Sequence, residues 1–172
     1  MFTRFLLSLP ALIGQFFKFA FIVAVIGSMA FAFGQLLPRK NFEYRKYPYA
    51  SLAWEKDGMV YQRIRIQRWK DKVPDMSQYV KSAVRKKITV FRSAEYIETL
   101  ILETCVAEFV HWVLILVSPL FLIFMDSPGN WGWTAFYAVG NVPFILIQRY
   151  NRPRLVGLLD RQQPRQSEVC PA

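Results

Sequence analysis

The stretch Cys105–Met125, "CVAEFVHWVLILVSPLFLIFM", is one of the most apolar runs in this chain of 172 residues. The turn sequence "DSPGN" at 126–130 follows it, and a second apolar run, "WGWTAFYAVGNVPFILIQ", occupies 131–148. Runs of 21 and 18 residues approach the roughly 20 residues that a helix needs to cross the hydrocarbon core of a bilayer. A Pro/Gly turn between two such runs joins neighbouring helices. The sequence therefore predicts a transmembrane helical hairpin within residues 100–159.

A third apolar block lies in the N-terminal segment, residues 1–37. Its cleanest part, "FAFIVAVIGSMAFAFGQLL" at 19–37, is long enough for a span, while 1–18 is predicted to be an interfacial helix or an extension of a tilted span. "AFA" at Ala30–Ala32 resembles a signal-peptide cleavage site, so removal of residues 1–32 is the alternative. The fold class predicted is mainly α: a small integral membrane protein with about three transmembrane helices.

Basic residues are concentrated in the segment 38–99 and after the last apolar block. The chain has 22 Lys and Arg residues and 12 Asp and Glu residues. Fifteen of the basic residues lie within 38–99, and the turn 126–130 contains no Lys or Arg. Because positively charged loops stay in the cytoplasm, 38–99 and the C-terminus are predicted to be cytoplasmic, and the hairpin turn and N-terminus to lie outside. The segment 38–99 is interpreted as a basic region that lies against anionic membrane lipids.

Two patterns within this basic region predict local structure. "MVYQRIRIQRW" at 59–69 alternates apolar and polar residues, which favours a strand or an extended interfacial segment. "SQYVKSAVRKKI" at 77–88 has the three- and four-residue apolar spacing of a helix. At the end of the chain, the polar segment 160–172 is predicted to be a disordered tail.

The sequence argues against several classes of function. No helix-turn-helix, zinc-finger or RNA-binding signature is present, so nucleic acid is not expected as a partner. Cys105 and Cys170 are too few for a disulfide framework. A single histidine without a Cys/His pattern does not make a metal site, and no G-x-S-x-G motif indicates a serine nucleophile. We therefore expect neither a metal nor another cofactor.

Three polar residues stand out within the predicted hairpin. Glu108 and His111 are three residues apart and share a helix face. Counted from Cys105, His111 lies about 9 Å along its helix, and Asn141, counted back from Gln148, lies about 10 Å along the neighbouring one. Because ionisable groups within a membrane usually face a bundle interior or a cavity, these side chains are predicted to line one pocket. A role in helix packing alone is the alternative.

Basic residues crowd the end of the last apolar block, and Pro153 among them is predicted to end or kink the helix. Guanidinium groups are planar and have several donors, which suits them to a phosphate clamp. A positive anchor on the cytoplasmic side is the simpler alternative. The predicted ligand-binding set consists of Arg149, Tyr150, Asn151, Arg152 and Arg154, with Arg68 and Lys70 from the basic region.

Four motifs give this chain a resemblance to a known family. They are "WEKDG" at 54–58, "RWKDKVPD" at 68–75, "AEFVHW" at 107–112 and "NVPFILIQRYNRPRL" at 141–155. In order and spacing they resemble the glycosyl-diaponeurosporenoate acyltransferases, small membrane proteins of staphyloxanthin-type carotenoid pathways. The resemblance covers roughly residues 38–159, whereas the N-terminal span and the tail look generic.

The resemblance implies an enzyme that esterifies a sugar hydroxyl of a glycosylated carotenoid with a fatty acyl group. For such a reaction His111 is predicted to deprotonate the hydroxyl, Glu108 to orient His111, and Asn141 to stabilise the oxyanion. Acyl-CoA is the expected co-substrate, and membrane lipids, the glycosylated carotenoid and other carotenoid-pathway enzymes are the expected partners. The alternatives are an acyltransferase for another lipid acceptor and a non-catalytic lipid-binding or scaffolding subunit of a carotenoid-synthesis complex.

Overall fold

A computed structural model of the chain describes residues 2–73, 94–126 and 129–169, with side chains from 10 to 162 within these ranges. This part of the chain is mainly helical and contains no strand. Its α-helices are α1 (Phe2–Leu36), α2 (Ile66–Trp69), α3 (Ala94–Val117), α4 (Leu120–Phe124) and α5 (Asn130–Val169), and short 3-10 turns lie at Arg39–Asn41, Ala53–Glu55, Met59–Gln62 and Lys70–Lys72.

The chain forms two compact units, which α3 and α5 both enter. We call the first the apolar unit; it consists of residues up to Leu37 together with Phe109–Pro143. We call the second the polar unit; it consists of Pro38–Glu108 together with the residues from Phe144 onward. The first contains the whole of α1 and most of the predicted hairpin, and the second contains the basic region and the arginines near the end of the chain.

Aromatic packing forms the core of the apolar unit. The Phe19 ring lies 4.6 Å from the Trp133 ring and 5.1 Å from the Phe121 ring, measured between centroids. The Tyr137 ring packs against the Phe121 ring at 4.7 Å. At one end of this core the Lys18 ammonium lies 3.3 Å from a carboxylate oxygen of Asp126. This ion pair accounts for the lysine that interrupts the first apolar block.

Two helices in the described part of the chain are long and apolar enough to cross a membrane, Pro10–Leu36 and Ala94–Val117. Large apolar side chains of α1 remain exposed on the protein, with Phe17 66% and Phe21 71% accessible. An exposed apolar surface of this kind suits contact with lipid. The second helix begins eleven residues before Cys105 and ends at Val117, so the run up to Met125 is not one continuous helix. Pro119 has no N–H to extend the helix, and α4 begins after it.

Helix α5 is continuous from Asn130 to Val169 and passes through Pro143 and Pro153. Of the two alternatives predicted for Pro153, an end of the helix is therefore wrong, and a kink stays a prediction, since the missing N–H leaves the Arg149 carbonyl without its usual helical donor. The helix also includes residues 160–169 of the segment that the sequence assigns to a disordered tail. Residues 170–172 of that segment lie outside the described residues.

The segment 59–69 is helical and not extended. It consists of a 3-10 turn at Met59–Gln62 and the short helix α2, with Arg65 in the left-handed region at φ 51°. The alternation of its sequence arises because Tyr61 and Ile66 are buried in one cluster with Ile147 and Tyr150. The strand prediction is therefore wrong, since turns and not a pleat bring these side chains to one side. The predicted helix at 77–88 lies outside the described residues.

Candidate functional site

The apolar unit contains a pair of polar side chains, His111 and Asn141. The Nδ1 atom of His111 lies 2.9 Å from the Oδ1 atom of Asn141. The Nδ2 group of Asn141 donates to the carbonyl oxygen of Tyr137 at 2.9 Å. Because that bond fixes which end of the amide faces the imidazole, Asn141 presents an acceptor and His111 donates from Nδ1. The depth count from the sequence led to this same pair of neighbours.

This arrangement fixes the tautomer of His111. With its proton on Nδ1, the neutral ring has its lone pair on Nε2, which is the atom able to accept a proton. Asn141 is buried at 6% exposure, whereas His111 is half-buried. An imidazole held at one nitrogen and basic at the other has the form of a general base with an orienting partner.

The polar unit contains a buried network of two carboxylates and two guanidinium groups: Glu55, Glu108, Arg149 and Arg152. Glu55, Glu108 and Arg152 are each 2% exposed. Arg149 binds Glu55 through two parallel hydrogen bonds, Nε to Oε1 at 2.5 Å and Nη2 to Oε2 at 2.7 Å. Glu108 accepts from Arg149 Nη1 at 2.7 Å and from Arg152 Nη2 at 2.5 Å. Two negative and two positive groups thus neutralise each other out of water.

Arg149 is fully occupied by this network and the loop beside it. In addition to the carboxylates, its Nη1 group donates to the carbonyl of Pro48 at 3.0 Å and its Nη2 group to that of Ala50 at 3.4 Å. These bonds, with the three to Glu55 and Glu108, use all five N–H donors of a guanidinium. The side chain therefore fastens the loop at 48–50 to α5.

Arg152 is held in a similar way by α3 and the same loop. Its Nε group donates to the hydroxyl of Thr104 at 2.9 Å, and its Nη2 group donates to the Thr104 carbonyl at 3.0 Å. Its Nη1 group donates to the carbonyl of Tyr49 at 2.7 Å. A guanidinium with partners in this number is a fixed structural cross-link, because each bond restricts its position.

The network also determines the ionisation of its members outside the predicted spans. Burial alone raises the pKa of Glu55, but the hydrogen bonds from Arg149, the Leu52 N–H and the Tyr61 hydroxyl outweigh burial and hold the pKa below its usual value. The pKa of Arg149 is raised, chiefly by its hydrogen bond to Glu55. Burial, followed by the bond to Glu55, raises the pKa of Tyr61. At neutral pH the pair is charged and Tyr61 is a neutral donor.

A tight left-handed turn places Glu55 in this network. Lys56, Asp57 and Gly58 follow it with φ of 47°, 53° and 80°. A Cβ atom on Gly58 would lie 3.3 Å from the carbonyl oxygen of Tyr150 on α5. Only glycine combines this positive φ with so close an approach, which explains the final residue of the "WEKDG" motif in physical terms.

An open cleft of about 450 Å³ lies beside the network, within the polar unit. Arg149 and Arg152 form part of its wall, with Tyr49 and Asp57. Its volume is within the range of roughly 300–1,000 Å³ that is usual for small-molecule pockets.

The remaining residues of the predicted clamp have separate surroundings. Tyr150 is buried at 3% exposure in the apolar cluster with Tyr61. Arg154 donates to the Tyr150 carbonyl at 2.6 Å and lies 3.5 Å above the Tyr150 ring. Lys70 pairs with Asp71 at 2.9 Å. Asn151 is half-buried and Arg68 is exposed.

Sequence reasoning did not assign a role to Glu55, Tyr61, Tyr49 or Thr104. Glu55 carried a signal, because it is one of the two acidic residues of the "WEKDG" motif, which was used only as a mark of resemblance. The other three gave none, since an isolated Tyr or Thr in a basic region looks like an interfacial residue. Tyr49 and Thr104 meet Arg152 across 103 and 48 positions of sequence, and Tyr61 donates to Glu55 six positions away.

Comparisons with known proteins point to one family. A family model described as glycosyl-4,4'-diaponeurosporenoate acyltransferase matches residues 43–161. Relatives with this name from Staphylococcus aureus, strains bovine RF122 / ET3-1 and USA300, are each 35% identical over 129 residues, which is 73% of this chain and 76% of theirs. No solved structure matches. The matched region contains the His111–Asn141 pair and the whole of the buried charge network.

Proposed function

The chain belongs to the glycosyl-4,4'-diaponeurosporenoate acyltransferase family, and from this premise we propose that it esterifies a sugar hydroxyl of a glycosylated carotenoid with a fatty acyl group. The donor is a fatty acyl thioester, with acyl-CoA as the first candidate. The observation that carries the mechanism is the His111–Asn141 hydrogen bond of 2.9 Å, because it leaves Nε2 as the basic nitrogen.

The reaction exchanges a thioester for an ester. Nε2 of His111 takes the proton of the sugar hydroxyl as its oxygen attacks the acyl carbonyl. The new C–O bond forms, the C–S bond breaks, and the proton passes from His111 to the departing thiolate. Water competes as a nucleophile, so an apolar surrounding such as that of the apolar unit favours transfer over hydrolysis.

Asn141 has a double role in this proposal. Its Oδ1 atom orients His111, and the second N–H of its amide, beyond the one bound to Tyr137, is a donor for the oxyanion of the tetrahedral intermediate. Glu108 stands three residues before His111 on α3. Its carboxylate is held by Arg149 and Arg152, so its proposed task is to fix this turn of α3.

The arginines are assigned to positioning more than to phosphate binding. Arg149 and Arg152 are held by carboxylates and backbone carbonyls, so phosphate oxygens would have to displace these partners. Their proposed task is to hold Glu55, Glu108 and the loop at 48–50 in place. The exposed Arg68, with Lys70, remains the proposed contact for the phosphates of acyl-CoA.

The proposed setting is a membrane that the chain crosses three times, with the third span at 131–148 on α5. The polar unit, with its basic surface, then lies on the cytoplasmic side, where acyl-CoA is available. Membrane lipids and the carotenoid contact the apolar unit. Enzymes that supply the glycosylated carotenoid are its expected neighbours.

The test is acyl transfer by the full chain in lipid nanodiscs, with glycosylated carotenoid and acyl-CoA. His111→Gln is expected to reduce kcat by roughly 10²- to 10⁴-fold, the usual contribution of a general base, with an unchanged melting temperature. Trp112→Phe changes an exposed neighbour on the same helix and is expected to keep full activity. Full activity in His111→Gln would rule out the base, and absence of transfer by the unaltered chain with any thioester would rule out the function.

A further inference from the structure

The segment 54–65 of the polar unit leaves three large apolar side chains exposed. Trp54 and Met59 are each 58% exposed, and Ile64 is 50% exposed. Single exposed apolar residues are common on proteins, but three within so short a segment mark a surface that contacts another molecule or lipid. The charges beside them indicate the chemistry of that partner.

The exposed charges of the same segment are mostly positive. Lys56, Arg63 and Arg65 are exposed, and Asp57 is the exposed carboxylate, so three cations against one anion leave a net charge of +2. The other acid, Glu55, is buried and neutralised within the charge network. Among the described residues, no carboxylate forms an ion pair with any of the three cations. An anionic surface would supply the missing counter-charges.

The buried side of the segment fixes its level along α5. Tyr61 packs in one cluster with Ile147 and Tyr150. These two residues of α5 lie where the proposed third span, 131–148, ends. The segment is therefore held against α5 at the point where that helix reaches the boundary between hydrocarbon and water.

Local contacts hold the exposed side chains in place. The Trp54 ring lies edge-on to the Tyr61 ring, with centroids 6.2 Å apart and an angle of 76° between the planes. The indole N–H of Trp69 donates to the Ile64 carbonyl at 3.1 Å, and Arg65 follows in the left-handed region at φ 51°. A surface that is already ordered loses less conformational entropy when it binds.

The combination of these groups fits a lipid surface better than other partners. Tryptophan is enriched at the boundary between membrane and water. Lysine and arginine lay their apolar stems along hydrocarbon while their charged ends reach headgroup phosphates. The centre of a protein interface is depleted in charged residues, and a free phosphate makes no use of exposed apolar side chains.

We propose that the 54–65 segment docks on an anionic lipid surface. Trp54, Met59 and Ile64 insert among the headgroups and upper acyl chains, and the three cations of the segment bind headgroup phosphates. The sequence assigns the whole region 38–99 to anionic lipids, and this proposal narrows the contact to one segment and adds the insertion of apolar side chains. It rests on the proposed membrane setting and not on acyl transfer.

The test measures the depth of a fluorescent label on the full chain in nanodiscs. An environment-sensitive dye is attached to Met59→Cys in a Cys170→Ser background, where the remaining Cys105 is fully buried. The matched control is Leu158→Cys, an apolar site of similar exposure, 50%, that lies about 12 Å beyond Tyr150 along α5. In nanodiscs of phosphatidylcholine with phosphatidylglycerol, the label at 59 is expected to be quenched by lipids with a nitroxide near the headgroup and shielded from aqueous iodide. The label at 158 is expected to show the reverse.

A second comparison tests the charges. Lys56→Gln combined with Arg63→Gln is expected to weaken docking about 25-fold, since each basic residue near an anionic surface contributes roughly fivefold. The weakening is measured as recovery of iodide quenching at position 59. Arg45→Gln combined with Lys46→Gln removes the same charge from two side chains that have carboxylate partners, and it is expected to leave the label shielded.

Three results would overturn the proposal. They are equal iodide quenching at positions 59 and 158, the same shielding in pure phosphatidylcholine and in both double variants, and release of the label by inorganic phosphate. Shielding from iodide without quenching by the nitroxide lipids would also overturn it, because a second copy of the chain then covers the segment. Acyl transfer is assayed separately on the same nanodiscs. An unshielded label with normal transfer removes this proposal alone, and a docked label without transfer removes the proposed function alone.

Discussion

The two units of this protein use polar residues in opposite ways. In the polar unit, Glu55, Glu108, Arg149 and Arg152 satisfy one another and the nearby backbone almost completely. In the apolar unit, His111 is held at Nδ1 by Asn141, and its Nε2 atom is the basic position of the ring. The difference separates two tasks that look alike in sequence: a dense group of charges forms the framework, and a single imidazole is the group suited to proton transfer.

The energetics of the two regions differ for the same reason. Buried ions lose several kcal/mol of hydration each, and only close partners with good geometry compensate for that loss. Loss of one member therefore leaves another buried charge without compensation. A neutral pair such as His111–Asn141 carries no such liability, since one hydrogen bond contributes about 1 kcal/mol. The two regions should thus respond differently to substitution.

The largest effect is expected from Glu108→Gln, which removes the charge shared by Arg149 and Arg152. Breaking a buried ion pair costs roughly 3–5 kcal/mol, which corresponds to a fall in Tm on the order of 10 °C. Thermal unfolding in detergent measures this fall in Tm. Glu103→Gln on the same helix is the control, because its pair with Arg39 is 43% exposed on the glutamate side and should contribute under about 1 kcal/mol. Equal shifts for both variants would contradict the distinction between the buried network and an exposed ion pair.

An intermediate effect, on activity and not on stability, is expected from Asn141→Leu. Loss of the acceptor for Nδ1 leaves the tautomer and ring orientation of His111 unfixed, so kcat should fall on the order of 10²-fold. The Tm should change little, as for one neutral hydrogen bond of about 1 kcal/mol. Thr134→Val, which removes a hydroxyl bonded to the Asn130 carbonyl in the same helix, should leave kcat unchanged. If Asn141→Leu unfolds the protein while kcat per folded molecule stays normal, Asn141 is part of the framework instead.

The smallest effect in the series is expected from Gly58→Ala. The substituted residue would have φ of 80° and a Cβ atom 3.3 Å from the Tyr150 carbonyl oxygen, at a cost of about 1–2 kcal/mol. Gly140→Ala in the apolar unit has nothing within 4 Å of its added Cβ and should stabilise α5 by up to about 1 kcal/mol. Chemical denaturation compares the two. Opposite signs are predicted, and a stabilising Gly58→Ala would show that the turn does not depend on this approach.

Apolar runs predicted much of the helical content, because burial or lipid contact of such runs requires satisfied backbone groups. The break at Pro119 and the continuity of α5 through Pro153 were missed. A proline destabilises a helix by several kcal/mol, and the sequence alone does not show where tertiary contacts offset that cost. The alternation of 59–69 was misleading for a similar reason. Tyr61 and Ile66 reach one cluster through turns, and an alternating pattern does not record how the backbone brings them there.

The candidate site shows the same limit. His111 and Asn141 were predictable, because polar side chains within apolar runs face the protein interior, where an amide and an imidazole can form a hydrogen bond. Arg149 and Arg152 were noticed as a cluster, but their partners lie at positions 48–55 and 104–108. Nothing in one sequence shows that Glu55 meets Arg149 across 94 positions. A cluster of arginines can therefore be located from the sequence, but its structural role becomes clear only when the positions of its carboxylate partners are known.

The length of these connections has a consequence for how the protein is made. Glu55 and Glu108 leave the ribosome well before Arg149 and Arg152, because synthesis proceeds from the N-terminus. Until α5 has been synthesised, the carbonyl groups at 48–50 and both carboxylates lack the guanidinium partners described above. The polar unit is therefore completed last, by residues near the end of the chain. Assembly of the loop and α3 is in this way coupled to synthesis of α5, so a chain truncated before Arg149 cannot close the network.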